Sequence, residues 1–116
     1  MSVVAMNQSQ MSEAEHALRV DLAAAFRLAD RFGWSQLVWN HITARCPDNP
    51  DHFLINPMGV RWDEMTASLL VKVDIAGNTI QVIDGEGLVP KPGFVIHSGV
   101  FEARSDINAI VHTHTN

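Results

Sequence analysis

Asn40-His41-Ile42-Thr43-Ala44-Arg45, then Pro47-Asp48-Asn49-Pro50-Asp51, then His52-Phe53-Leu54-Ile55-Asn56: this stretch decides the architecture. The first string alternates and carries the β-branched pair Ile42 and Thr43. The second is turn chemistry, with two prolines and three short polar side chains. The third reads as a returning strand. Together they predict a β-hairpin with a loop of about five to seven residues. The chain N-terminal to it has a different period. Leu18, Leu22, Ala25, Phe26, Ala29 and Phe32 recur at helical spacing. Ser12 stands where an N-cap hydroxyl belongs, with acids at Glu13 and Glu15 in the first turn, and Ser12 to Glu15 has the spacing of a capping box. Gly33 sits where a glycine would end the helix. A helix over 13–32 is therefore expected, and residues 1–12 read as a mobile tail.

C-terminal to the hairpin, Pro57-Met58-Gly59 breaks the strand and Trp62 to Ala67 reads as a short helix. Leu69 to Asp74 and Thr79 to Ile83 read as two further strands around an Ala76-Gly77-Asn78 turn. Asp84 to Pro92 is punctuated by glycine and proline and reads as loop. Phe94 to Ala103 suits a second helix, with Val95, Ile96, Gly99 and Val100 on its inner side. Ile107 to His114 closes the chain as a last strand. The order helix, hairpin, hairpin, helix, strand favours a mixed layer structure over strict βαβ alternation. The chain stops at Thr115-Asn116, directly after an apolar strand, so it reads as truncated.

Composition narrows the function classes. The chain has 116 residues, with eight Lys+Arg against thirteen Asp+Glu and a net charge of −5. With 47% hydrophobic and 18% charged residues it is globular in composition, with one core affordable and no sign of extended disorder. The acidic balance makes nucleic acid and anionic membranes poor default partners. A single cysteine, Cys46, cannot build a disulfide framework and fits a reducing compartment. The N-terminus has neither a basic region nor an apolar run of signal-peptide length, and no stretch approaches the ~18 apolar residues of a membrane span. A cytoplasmic location is the resulting expectation.

His112-Thr113-His114 is the sharpest chemical signal. On a strand, residues two apart point to one face, so two imidazoles lie side by side within reach of one transition-metal ion. The competing account is two surface histidines near a terminus. Two ligands are also incomplete, because zinc takes three protein ligands in catalytic sites and four in structural ones. Asn40-His41 opens the first hairpin strand; an asparagine there suits a phosphate or a sugar hydroxyl, or serves the turn alone. Asn56-Pro57-Met58-Gly59 offers backbone N–H groups to an anion, or is simply a turn. His97 falls mid-helix and suits a core histidine better than a ligand. Trp34, Trp39 and Trp62 suit core or interface positions. No nucleophile elbow, phosphate loop, dinucleotide fingerprint or Cys-x-x-Cys motif is present.

Several strings taken in order carry a family resemblance: Asn40 to Arg45, Phe53 to Gly59, Glu64-Met65-Thr66-Ala67-Ser68 through Leu70 to Asp74, Gly93-Phe94-Val95-Ile96-His97, and Asp106 to Thr115. Over residues ~16–116 the chain resembles the N-terminal half of the class II aldolase/adducin domain, nearest its adducin-like bacterial branch. The resemblance implies an α/β fold: a three-layer α/β/α sandwich around a mostly antiparallel sheet, of which residues 13–116 are the N-terminal portion. It also implies a divalent metal, most often zinc, held by His112 and His114 together with a third histidine beyond Asn116. It implies a small-molecule substrate and a homo-oligomer, usually a tetramer, with the site between subunits. Asn40 matches an asparagine that contacts substrate phosphate in the family's aldolases, and Gly59 matches the glycine of a substrate-binding Thr-Gly pair whose threonine is Met58 here.

Two further departures from that pattern matter. Gly93 stands where those aldolases carry a catalytic glutamate, and Lys91-Pro92 stand where they carry phosphate-binding serines. Three functional expectations follow. One is a metal-dependent aldolase, epimerase or dehydratase acting on a small hydroxycarbonyl compound or sugar phosphate through enediolate chemistry, incomplete in this chain. The second is a non-catalytic, adducin-like association domain. The third is an α/β fragment without activity of its own.

Overall fold

A computed structural model describes residues 11–35 and 40–114 and, outside these, the backbone of Val4–Ala5. In chain order the elements are β1 (Val4–Ala5), α1 (Glu13–Arg31), β2 (His41–Arg45), β3 (His52–Ile55), a 3₁₀ turn (Trp62–Glu64), β4 (Val71–Asp74), β5 (Thr79–Val82), α2 (Lys91–Ala103) and β6 (Ala109–His112). The strands form one sheet in the order β1-β5-β4-β3-β2-β6. Every pairing is antiparallel except β1 with β5. The segment read as a tail thus contributes a two-residue strand, too short to leave a period in the sequence. Trp39 lies outside the described residues.

Strand parity sorts the sheet into two faces, because successive side chains alternate. Ile42, Ala44 and Leu54 join Leu22, Phe26 and Ala29 of α1 in one apolar cluster, with Trp62, Met65 and Leu70 closing its edge. Phe53, Ile55, Val71 and Val73 point the other way and pack with Phe101 of α2. One helix covers each face, which is the three-layer arrangement expected. Fully burying a side chain such as Phe26 or Phe53 stabilises by about 1.5–3 kcal/mol.

Helix α1 starts as its cap predicts: the Glu15 backbone N–H donates to Ser12 Oγ at 3.0 Å. The Glu15 carboxylate does not complete the capping box. It turns inward, accepts from Arg19 Nε at 2.9 Å and pairs with Lys72 of β4. Arg19 is wholly buried, and its Nη1 donates to the carbonyls of Leu70 at 2.8 Å and Ala67 at 3.1 Å. This charged node stitches α1 to β4. Gly33, at φ +77°, ends the helix as expected. Phe32 lies just past it and is exposed, its ring 5.5 Å from that of Trp34.

Helix α2 differs from its sequence reading in two ways. It begins at Lys91 rather than Phe94, because proline is tolerated in a first turn, where its missing N–H has no partner to lose. Its inner face is Gly93, His97, Ser98 and Phe101, whereas Val95 and Ile96 are more than half exposed. The sheet supplies polar partners for the buried phase: Thr43 of β2 stands over His97, and hydropathy alone favours the wrong side.

Candidate metal and substrate site

The β2–β6 register assembles the site. Ile42 pairs with Val111 and His41 with His112, so His41 and His112 project from the same face of the sheet. That face is the one α2 covers, and α2 delivers His97 to it. The His41 ring lies 6.1 Å from that of His112 and 5.8 Å from that of His97. Beyond the strand end, His114 folds back so that its Nε2 is 3.1 Å from Nε2 of His112. The rings of these two meet edge to face with centroids 4.9 Å apart. The four histidines come from β2, α2, β6 and the segment just past β6, and span residues 41 to 114.

His112 and His114 therefore stand close together, although His114 lies past the end of β6 and not on the strand from which both were expected to project. A 3.1 Å separation is within hydrogen-bond reach. It is also close to the roughly 3.3 Å that separates two nitrogens each bound about 2.0–2.1 Å from one tetrahedral ion. The pair fits two positions of a metal site. Among the described residues, no group of three or more His, Cys, Asp and Glu side chains converges to complete one.

His41 and His97 are both buried, at 4% and 0% exposure. His97 Nδ1 shares a 2.5 Å hydrogen bond with Thr43 Oγ1, while His97 Nε2 and both ring nitrogens of His41 have no partner among the described residues. Burial pushes the His97 imidazole down to about 4, helped by His41 and then His112. Burial also lowers that of His41, with His112 and His114 adding to it. Both rings are neutral at pH 7. Leaving a buried polar group unpaired costs about 1–3 kcal/mol, a cost that concentrates at working sites.

Gly93 belongs to this cluster for a steric reason. A Cβ there would stand 2.5–2.7 Å from Cδ2, Nε2 and Cγ of the His41 ring. The ring thus occupies the space that any side chain at position 93 would enter.

A cavity of about 440 Å³ is lined among others by Asn40, Asn56, Gly59, Arg61 and Pro90; among the described residues no histidine lines it, and Asn40, which bonds to His114, links it to the pair. Both residues expected to bind substrate, Asn40 and Gly59, face it. Gly59 holds φ +83°, a left-handed conformation that suits glycine. The Asn56 amide is buried, and its Oδ1 has no partner among the described residues. Met58 N–H, offered by the sequence as an anion donor, is instead committed to the Leu88 carbonyl at 2.6 Å. Arg61 already forks onto Asp63, with Nε and Nη2 donating at 3.0 and 2.9 Å, and this bond holds the Asp63 carboxyl below its usual range. Lys91 is exposed and is not among the residues lining the cavity.

Asn40 is 1% exposed, and its Oδ1 accepts the backbone N–H of His114 at 2.8 Å. Sequence reasoning gave this asparagine a substrate role or a turn role. It read His97 as a core histidine, and the structure buries that ring at 0% exposure with Thr43 as its partner. His41 stands next to His112 only through the pairing of β2 with β6, about seventy residues apart and beyond the reach of local pattern. Cys46, buried in the opposite cluster with its thiol pushed up to about 12 by burial, has no part in the site.

The sequence profile of the Class II Aldolase and Adducin N-terminal domain matches residues 20–116. The chain belongs to the class II aldolase and adducin family. Mouse alpha-adducin is 48% identical over 103 residues, covering 89% of this chain and 14% of that protein. A Pseudomonas aeruginosa protein with the provisional name aldolase class 2 protein is 46% identical over 108 residues, covering 93% of this chain and 40% of its own. Among solved structures, an aldolase II superfamily protein from Pseudomonas syringae superposes with a TM-score of 0.84 at 47% identity, covering 93% of this chain and 43% of that one. The L-fuculose 1-phosphate aldolase of Glaciozyma antarctica gives the same TM-score at 36% identity, covering 88% and 41%. The chain thus spans less than half the length of each of these relatives. No helix among the described residues is long and apolar enough to cross a membrane.

Proposed function

We propose that the chain forms the metal-binding and substrate-binding half of a divalent-metal-dependent lyase, epimerase or dehydratase acting on a small hydroxycarbonyl compound. The observation that carries this reading is the 3.1 Å approach of His112 and His114 Nε2, with Asn40 joining His114 to a cavity that Asn40 and Gly59 line. His112 and His114 would hold the ion, zinc being the first candidate for two imidazoles. Bound there, a divalent cation supplies Lewis acidity toward carbonyl and hydroxyl oxygens. Asn40 and Asn56 supply amide groups that orient a hydroxyl-bearing or phosphorylated substrate in the cavity. Likeness to a fuculose-phosphate aldolase supports a sugar-phosphate substrate. A homo-oligomer, a tetramer by family resemblance, and a cytoplasmic location complete the proposal.

The second reading is a non-catalytic association domain, favoured by 48% identity to alpha-adducin and by Gly93 in place of an acidic side chain. Metal content separates the two. The enzyme reading expects about one tightly bound divalent ion per chain in the protein at its natural length, lost in His112→Ala and in His114→Ala. A folded oligomer that takes up no metal supports the association domain and removes the enzyme reading.

A further inference from the structure

We infer that Asn40 is a positioning residue for the His112–His114 pair, beyond any contact it makes with substrate. This rests on the metal reading above. Three observations carry it. First, the pair sits at and just past the end of β6: Ala109–His112 are paired to β2, while Thr113 and His114 are outside the strand. Cross-strand pairing therefore fixes the His112 backbone and leaves that of His114 to other contacts. Second, the bond that catches His114 is Asn40 Oδ1 accepting its backbone N–H at 2.8 Å. Third, Asn40 is 1% exposed and directly precedes β2, so its amide is placed by the strand that also aligns His112.

A two-nitrogen site depends on the placement of both donors. Displacing one ring by an ångström opens the 3.1 Å gap beyond what one ion spans. Outer groups that orient metal ligands typically contribute about 10–100-fold in affinity when removed. Asn40 acts on the ligand's backbone rather than its ring, which leaves the ring nitrogens available to the ion. The same side chain lines the cavity. One amide thus belongs to both the metal pair and the substrate space.

The test uses cobalt(II) as the probe, titrated into the protein at its natural length and followed by its ligand-field absorption, with zinc affinity measured by competition. Asn40→Leu keeps the bulk and removes the acceptor; Asn40→Asp keeps an acceptor oxygen. The expected result is metal affinity at least about tenfold weaker, with an altered cobalt spectrum, in Asn40→Leu and near wild type in Asn40→Asp. Equal affinity in wild type and Asn40→Leu overturns the inference while leaving the metal reading intact. Absence of cobalt or zinc binding in the wild type sinks the metal reading itself. Amide exchange in the metal-free wild type gives a measurement independent of variant folding: the His114 amide is expected to be protected, and fast exchange there overturns the inference.

Discussion

Replacing Gly93 by alanine sets two effects of opposite sign against each other. In a helix, alanine is favoured over glycine by about 1 kcal/mol, so propensity alone predicts a gain. The structure predicts a loss. The new Cβ would stand 2.5, 2.6 and 2.7 Å from three atoms of the His41 ring. Carbon contacts are optimal at about 3.5–4.0 Å, so the overlap is roughly 1 Å with each. The ring has little room to retreat, being 4% exposed between α2 and the sheet. Overpacking of this kind costs about 1–3 kcal/mol, and the steric effect wins. Gly93→Ala should therefore lower the urea midpoint at unchanged slope. In a His41→Ala background the clash is gone, and the same substitution should become neutral or stabilising by up to about 1 kcal/mol. A double-mutant cycle should report coupling of about 1–3 kcal/mol. A Gly93→Ala protein at least as stable as wild type, or one whose loss persists without the His41 ring, would refute the steric argument.

Three further outcomes are expected. Arg19→Met should cost about 3 kcal/mol in urea denaturation, the low end for breaking a buried pair because Lys72 still holds Glu15; a cost under about 1 kcal/mol would show that the node is dispensable. His97 is neutral in the fold down to about pH 4 but takes a proton below its ordinary 6.5 once unfolded. The unfolded state then binds more protons, so stability is full above pH 6.5 and falls by as much as about 3 kcal/mol on acidification to pH 4. Comparing wild type with His97→Asn across that window measures the effect, and parallel curves would contradict it. His112→Ala and His114→Ala should each lose the bound metal while keeping the thermal unfolding midpoint of the metal-free wild type within a few degrees. Unfolding in either variant would give the pair a structural role instead.

Legibility of the chain follows the range of the interactions. The α1 helix and the β2–β3 hairpin are set by neighbours within a few residues, and their sequence readings match to within a residue or two. The 3.6-residue period shows Leu22, Phe26 and Ala29 because their partners are apolar. It hides Glu15 and Arg19, which are buried only because Lys72 and the Leu70 carbonyl lie opposite. Helix α2 was misphased for the same reason: its inward stripe runs through Gly93 and His97, which no hydropathy scale selects over Val95 and Ile96. The His112-Thr113-His114 string was legible because it is local, although His114 lies past the strand end, so strand period does not account for the approach of the two rings. Its neighbours His41 and His97, and the bond from His114 to Asn40, required a register between strands far apart in the chain.

That register also bears on what Gly93 means. Taken alone, a glycine at this position looks like the loss of a side chain. In the structure it is one half of a steric exchange, since His41 fills the volume a side chain at 93 would need. The two positions cannot be varied independently. A carboxylate introduced at 93 meets the ring at 41 before it meets any ligand, and an empty position 93 comes with a buried imidazole whose two nitrogens have no partner among the described residues. The polar group in that volume is a ring held neutral by burial. A purely structural core would gain stability from filling that space with an apolar side chain and shedding the cost of two unpaired nitrogens. Two buried nitrogens left without a partner among the described residues beside the His112–His114 pair are a cost that the proposed site would account for.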